Sequence, residues 1–150
     1  MRNIDVRRLA TALCATAALM LATATPAAAA TSGCGWSCEG KDPATYKNWT
    51  SSTSYYYCGD DAETKGVATT GRPNDYTVLL RYSPRCRTVW ALSGHEVYFW
   101  VERKSPYGFA DAYPVTGGGT VRTVMLNDAG YVSRACYSYP AGGTICSEWY

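Results

Sequence analysis

The chain has 150 residues, 47% of them hydrophobic, and a formal charge of +2 at pH 7. This composition is that of a globular protein with a core. Proteins that neutralise many phosphates carry a basic excess, so nucleic acid and anionic membrane surfaces are not expected partners.

Residues 1–30 have the composition of a secretory signal peptide. Three arginines precede an apolar run over residues 9–22, and a string of alanines follows at 27–30. The run is mostly alanine, leucine and threonine, whereas a membrane span needs roughly 20 strongly apolar residues. We therefore expect a secreted protein without a membrane span, whose mature part is residues 31–150.

The mature part is expected to be one small domain with one core. The leader carries three arginines and one aspartate, so removing it from the 14 basic and 12 acidic residues of the chain leaves 11 of each. The formal charge of residues 31–150 is then zero.

Six cysteines remain after Cys14 leaves with the leader, and an even number in a small secreted domain predicts three disulfides. We favour the pair Cys136–Cys146. The other four would tie the N-terminal loop region to itself and to the strand beginning at Cys86. Cys34-x3-Cys38 also fits half a zinc site, but no second close pair or nearby histidine completes it, so we expect neither metal nor cofactor. The six are Cys34, Cys38, Cys58, Cys86, Cys136 and Cys146.

Residues 31–65 are rich in glycine, serine, threonine, aspartate and lysine, and they predict loops with at most one helical turn, capped by Asp42 and with Pro43 at its first position. Later residues show β-branched and aromatic runs separated by turn residues. We expect an all-β domain, a small antiparallel sandwich or barrel with a loop-rich, disulfide-stapled N-terminal region. The candidate strands are 66–70, 76–83, 86–92, 96–103, 120–126, 131–139 and 144–149.

The three aromatic residues Tyr55, Tyr56 and Tyr57 stand out in the loop region. All 20 aromatic residues of the chain lie in its mature part, and consecutive side chains of an extended segment alternate between faces. At least one of these rings should therefore meet solvent. Such rings suit stacking on sugars or anchoring a protein partner, although tyrosine as strand filler is the simpler interpretation.

Three arginines crowd one predicted hairpin turn, Ser83-Pro84-Arg85. With a three-residue loop, Arg81 faces Arg87 across the ladder and needs a carboxylate, Asp42 or Asp61, between them. With a two-residue loop, Tyr82 faces Arg87 and stacks under its guanidinium. We favour such internal pairing. The alternative is that Arg81, Arg85 and Arg87 form a binding site for sulfate, phosphate or carboxylate.

Three motifs around these positions suggest a family. They are Gly40-Lys41-Asp42-Pro43, Cys58-x-x-Asp61-Ala62-x-Thr64, and Leu80-Arg81-Tyr82-Ser83-Pro84-x-Cys86-Arg87 followed by Trp90-Ala91. Over about residues 34–92 the chain resembles a secreted family of actinobacteria and bacilli, domain of unknown function 2690. The resemblance implies a secreted module stapled by disulfides. It implies no reaction, since none is established for the family.

Candidate catalytic groups are few. His95 is the only histidine, it lies at a turn, and no nucleophile-elbow glycine pattern accompanies it. Glu96 and Glu102 would lie roughly 20 Å apart on an extended strand, too far for a glycosidase pair. We therefore expect no catalytic residues and no enzyme.

The expected function is a secreted, non-enzymatic binding module at the cell envelope or in the medium. Its partner would be an extracellular protein or a cell-wall glycan, bound through Tyr55, Tyr56 and the three arginines. The alternative is a proteinaceous inhibitor of a secreted hydrolase, acting through the rigid turn at Arg85.

Overall fold

The computed structural model describes residues 33–112 and 119–150, so the leader expected at 1–30 lies outside the described residues. Within them, no helix is long and apolar enough to cross a bilayer. A 3-10 helix covers Gly35–Cys38. The strands are β1 (Asn48–Trp49), β2 (Tyr55–Tyr56), β3 (Glu63–Ala68), β4 (Val78–Ser83), β5 (Thr88–Ser93), β6 (Phe99–Arg103), β7 (Gly108–Ala112), β8 (Val121–Arg122), β9 (Leu126–Asn127), β10 (Ser133–Ser138) and β11 (Thr144–Cys146).

Strands β3 to β11 form two antiparallel sheets that pack against each other. One has the order β11-β10-β6-β7, and the other has the order β3-β4-β5-β8, with β9 also pairing with β5. Alternate side chains of both sheets point inward and build one core that includes Leu80, Val89, Phe99, Val101 and Ala135, each fully buried. The predicted all-β antiparallel fold is confirmed.

The N-terminal region covers the outer face of the five-stranded sheet. Trp90 on that face is only 3% exposed, because it packs with Cys38, Cys58 and Met125 in a second buried cluster. Two backbone hydrogen bonds join the N-terminal region to Met125. The Met125 N–H donates to Lys41 O, and the Met125 carbonyl accepts from the Gly40 N–H, each at 2.9 Å. The loop-rich segment is thus an integral layer of the domain.

Three cysteine pairs lie at bonding distance. Cys136 and Cys146 face each other directly across the β10–β11 ladder, which confirms the preferred pair. Cys34–Cys38 closes the 3-10 helix, and Cys58–Cys86 joins the N-terminal region to the turn after β4. The expected division of the other four cysteines is therefore also confirmed.

Both registers expected for the arginine-rich hairpin are wrong. Ser83 pairs with Thr88, so the loop has four residues, and Arg81 faces Trp90 while Tyr82 faces Val89. The loop closes through a bond from the Arg87 N–H to Ser83 O (2.7 Å), with Arg87 at φ +56°. Cys86 lies within this loop and is bonded to Cys58 of the N-terminal region. It therefore does not pair in the ladder, as the expected loops of two or three residues would require.

Other strand boundaries also differ from expectation. The expected strand 120–126 is two short strands, β8 and β9, because Thr123 bonds Ala91 through both its N–H and its hydroxyl and the chain then turns to the N-terminal region. Strand β7 and the hairpin β1–β2 were not expected. The turn expected at Asp42 is present, with Asp42 Oδ1 accepting from the N–H groups of Ala44 (2.7 Å) and Thr45 (3.1 Å).

Candidate functional site

The hairpin β1–β2 and its flanking residues present four aromatic rings and one lysine that we call the aromatic hairpin: Lys47, Trp49, Tyr55, Tyr56 and Tyr57. Trp49 pairs with Tyr55, and a bond from the Thr50 N–H to Ser54 O (2.8 Å) closes the loop between the strands. Because side chains alternate along a strand, Trp49 and Tyr55 share the outer face, where they are 59% and 42% exposed.

The rings of the aromatic hairpin hold one another in place. Trp49 and Tyr55 pack edge to face with centroids 5.0 Å apart, and Tyr55 packs in the same way on Tyr57 at 5.4 Å. Lys47 Nζ lies 4.4 Å from the Tyr55 centroid and 5.7 Å from the Trp49 centroid. Edge-to-face pairs and cation–π contacts of this kind fix side-chain rotamers. The exposed surface is therefore preorganised.

A groove of about 370 Å³ runs beside the aromatic hairpin. Its walls combine ring surfaces with hydroxyl, amide and ammonium groups, the combination that fits a ligand with both apolar faces and hydroxyls. The lining residues are Gly33, Cys34, Ser37, Tyr46, Lys47, Asn48, Trp49, Thr50 and Tyr56.

Arg85 lies against Tyr56, on the face of β2 opposite to Tyr55. Its guanidinium lies 4.5 Å from the Tyr56 ring centroid. Asp61 holds the turn that carries it, because the carboxylate accepts from the Ser83 hydroxyl (2.6 Å) and from the Arg85 N–H (2.8 Å). Of the predicted binding residues, the structure thus brings Arg85 into contact with Tyr56, while Tyr55 belongs to the outer face of the hairpin.

Arg81 and Arg87 have other partners. The Arg81 guanidinium donates to the Thr64 hydroxyl and to Ala62 O (2.6 Å), beside a second cavity of about 390 Å³ that it lines with Arg122. Arg87 lies near Asp128 and interacts with Tyr82. Neither Asp42 nor Asp61 bridges Arg81 to Arg87, since Asp42 pairs with Arg122 (3.7 Å) and Asp61 holds the turn.

A buried charged group elsewhere in the fold was missed by sequence reasoning. Arg103 is 2% exposed, lies between the rings of Trp36 (4.9 Å) and Tyr131 (5.1 Å), and bonds Glu39 (2.8 Å). Nearby, burial raises the pKa of Asp128 to about 6. Nothing in the local sequence marks these residues, because their partners come from distant segments.

A second group of rings lies on the outer face of the four-stranded sheet. Trp100 packs at a tilt against Tyr98 (centroids 5.5 Å apart, 33° between planes) and against Phe109 (6.3 Å, 34°). Tyr98, just before β6, and Trp100, within it, are two residues apart, which is a sequence signal for one shared face. Strand β7, which supplies Phe109, was not predicted.

Four of the cysteines lie close enough together to hold a metal if both of their disulfides were reduced. The Sγ atoms of Cys34, Cys38, Cys58 and Cys86 all lie within 4.8 Å of one another. His95, the one candidate general base, instead packs edge-on with Tyr76 at 5.9 Å, and its backbone N–H donates to the Ser93 hydroxyl.

Comparisons with known proteins place the chain in a family. No curated protein and no solved structure matches it. A family model matches residues 36–136, which extends beyond the stretch 34–92 on which the resemblance was first seen. Because the match covers more than half of the chain, the protein belongs to the family described as protein of unknown function (DUF2690).

Proposed function

We propose that the protein is a secreted, non-enzymatic module that binds a glycan of the cell envelope through the aromatic hairpin. The observation that carries this proposal is the exposure of Trp49 (59%), which lines the groove, together with that of Tyr55 (42%), whose ring packs on Trp49. Sugar rings offer apolar C–H faces and a rim of hydroxyls. The groove offers aromatic surface together with Ser37, Lys47 and Thr50 as hydrogen-bonding groups.

Preorganisation supports a binding role. Ordering a rotamer-rich side chain on binding costs about 0.5–1.5 kcal/mol, and rings already packed on one another avoid much of that loss. The base of the hairpin is equally fixed, because Asn48 is buried and pairs with Tyr56 across the ladder.

Secretion is part of the proposal. Three disulfides are typical of an oxidising compartment, and the leader has the signal-peptide pattern. Expression of the full chain in a secreting bacterium should deliver protein to the medium whose N-terminus, read by Edman degradation, lies near Thr31. Full-length protein retained in the cytosol would contradict export.

Co-sedimentation with insoluble peptidoglycan and with chitin tests glycan binding. The purified protein should be retained on at least one polymer, and Tyr55→Ala should weaken retention roughly tenfold through the loss of one stacking ring. Phe109→Ala is the matched control, because it removes an exposed ring from a different face. Retention that is absent, or unchanged in Tyr55→Ala, would contradict the proposal.

The non-enzymatic part has its own test. His95→Ala should leave retention on the polymer unchanged, and neither form should release soluble sugars from it. Release by the wild type that disappears in His95→Ala would make the protein a hydrolase.

Inhibition of a secreted hydrolase is the second candidate, and the turn at Arg85 favours it. The turn is exposed at Pro84 and Arg85, and it is held by the Cys58–Cys86 disulfide and by Asp61. A rigid loop with an exposed arginine suits a protease pocket that has a carboxylate at its base. The wild type should inhibit a trypsin-like protease stoichiometrically. Inhibition that is lost in Arg85→Ala and kept in Arg72→Ala would establish this function.

A further inference from the structure

We propose that the sulfur cluster (Cys34, Cys38, Cys58 and Cys86) has a second, reduced state in which its four thiolates bind one zinc ion. The four sulfurs come from three separate segments and meet within 4.8 Å. This state does not depend on the proposed glycan binding.

Two of the distances between sulfurs that are not bonded to each other, both from Cys58, suit a tetrahedral site. Zinc–sulfur bonds of about 2.3 Å place ligand sulfurs about 3.8 Å apart. Cys58 Sγ lies 3.8 Å from Cys34 Sγ and 3.9 Å from Cys38 Sγ. In a tetrahedral site the two pairs that are now bonded, Cys34–Cys38 and Cys58–Cys86, must separate to about the same distance.

Burial and spacing match a closed structural site. Cys34 and Cys38 are four residues apart, within the range common for zinc ligands, and Cys38, Cys58 and Cys86 are fully buried. Cys34 is partly exposed and lines the groove beside the aromatic hairpin, which supplies an entry path for the ion.

Asn48 is a second, independent indication. Its side chain is buried, and its amide nitrogen points at the sulfurs of Cys58 (3.2 Å) and Cys86 (3.7 Å). A disulfide sulfur is a weak acceptor, whereas a thiolate accepts a charge-assisted hydrogen bond. Asn48 Oδ1 lies 3.0 Å from Cys38 Sγ, a contact that a thiol S–H satisfies in the metal-free reduced state; once Cys38 is a thiolate ligand, this oxygen must turn away from it. The amide therefore suits a reduced cluster better than an oxidised one.

The conversion balances with a dithiol as reductant. Two dithiol molecules transfer four electrons and four protons to the two disulfides, giving four thiols, and each dithiol closes to its own disulfide. Binding of Zn²⁺ then releases four protons and leaves a tetrathiolate with a net charge of −2, toward which the Asn48 amide donates.

The third disulfide provides an internal control. Cys136–Cys146 lies in the four-stranded sheet, away from the sulfur cluster, so its thiols cannot complete the same site. One metal ion per chain is the expected stoichiometry.

Cobalt titration of the reduced full chain tests the proposal. After reduction by dithiothreitol and its anaerobic removal, one Co²⁺ per chain should bind with thiolate charge-transfer bands and tetrahedral d–d bands, and Zn²⁺ should displace it. Near-UV circular dichroism should show that the metal retains or restores the folded state. The double variant Cys136→Ser/Cys146→Ser should behave in the same way.

Two variants address the ligands. Cys38→Ser should weaken Co²⁺ binding at least about 100-fold, and Asn48→Ala, which keeps all four ligands, should weaken it about 10- to 100-fold. The proposal is overturned if the reduced wild type binds no Co²⁺ or binds it without native circular dichroism. It is also overturned if Cys38→Ser binds as the wild type does, or if loss of Cys136 and Cys146 abolishes binding.

Discussion

Arg103 shows how a single charge can connect three segments of the fold. Its guanidinium donates to Glu39, to Pro106 O (2.9 Å) and to Asn127 O, and it is 2% exposed. Replacing it leaves two carbonyls without this donor and the Glu39 carboxylate without its counter-ion, so that Glu39 keeps its bond from the Asn127 N–H (3.0 Å) but not its ion pair. We expect Arg103→Met to lower the free energy of unfolding by about 3–5 kcal/mol, measured by urea denaturation with disulfides intact.

The control for this prediction is Arg122→Met, because Arg122 is more exposed and meets Asp42 only at 3.7 Å. Exposed pairs contribute about 0–1 kcal/mol, so this variant should unfold almost as the wild type does. Equal losses in the two variants would show that the burial of Arg103 does not determine its contribution.

Asp128 gives the protein an unusual pH dependence. It is 7% exposed, and burial raises its pKa from an ordinary 3.8 to about 6, although the Ser133 hydroxyl, Arg103 and Arg87 oppose the shift. Between pH 4 and 6 the folded state therefore binds more protons than the unfolded state. Stability must fall as the pH rises through this window.

Asp128→Asn removes the titration while its amide oxygen can still accept from Ser133. The unfolding free energy of the wild type should fall by up to about 3 kcal/mol relative to the variant between pH 4 and 7. Asp75 does not interfere, because its hydrogen bond from Thr70 lowers its pKa and places its titration below this range. Parallel pH profiles for the two proteins would refute the role of Asp128.

At the scale of elements, the strands with strong β-branched or aromatic patterns were predicted from sequence and the weak ones were not. β4, β5, β6 and β10 lie within or next to their expected ranges. β7 was missed because its core positions, Ala110 and Ala112, are small and its outer positions alternate an aromatic with an aspartate. A strand that fills little of the core shows little of the hydrophobic period on which prediction depends.

The arginine turn was mispredicted for a different reason. Arg87 adopts φ +56°, which is uncommon for a residue with a side chain, and the disulfide at Cys86 holds the four-residue loop around it. Turn rules concern local residues, whereas this loop is set by Cys58 and Asp61 from the N-terminal region. For the same reason the contact between Tyr56 and Arg85, two predicted binding residues, cannot be predicted from the local sequence.

Strand β3 meets the end of the other sheet at Gly66. The register shifts between Thr64 and Gly66, and a Cβ atom at Gly66 would lie 2.9 Å from Ser147 Cβ. Ser147 cannot retreat freely, since it is buried and its hydroxyl accepts from Ala135 N (3.2 Å). Gly66→Ala should therefore lower the unfolding free energy by about 1–3 kcal/mol in urea denaturation.

Gly94→Ala is the matched control for this strand contact. A Cβ atom there would meet nothing within 4 Å. The change should stay within about 0.5 kcal/mol of the wild type. An equally small change in the unfolding free energy of Gly66→Ala would show that Ser147 moves away from position 66 at little cost, contrary to this prediction.

At the scale of the whole molecule, two disulfides stabilise different layers. Cys58–Cys86 spans 28 residues and holds the N-terminal region over Trp90, whereas Cys136–Cys146 spans 10 residues within one sheet. From loop length alone, the first disulfide should stabilise the fold by about 3–4 kcal/mol and the second by about 3 kcal/mol. Measurements of total stability would therefore distinguish the two disulfides poorly. The cysteine count predicted that such links exist, but which layer each one holds depends on the packing of Trp90 and Met125, which no local pattern reveals.

Hydrogen exchange should separate the two links by location. In Cys58→Ala/Cys86→Ala, the amides of Gly40 and Met125, which join the N-terminal region to the sheet, should exchange faster while the β6–β10 ladder keeps its protection. In Cys136→Ala/Cys146→Ala the pattern should reverse, with faster exchange in β11. Proteins open locally in contiguous units, so each variant should expose the segment that its missing disulfide held. Uniform acceleration in both variants would mean that the N-terminal region and the sandwich unfold only as one unit.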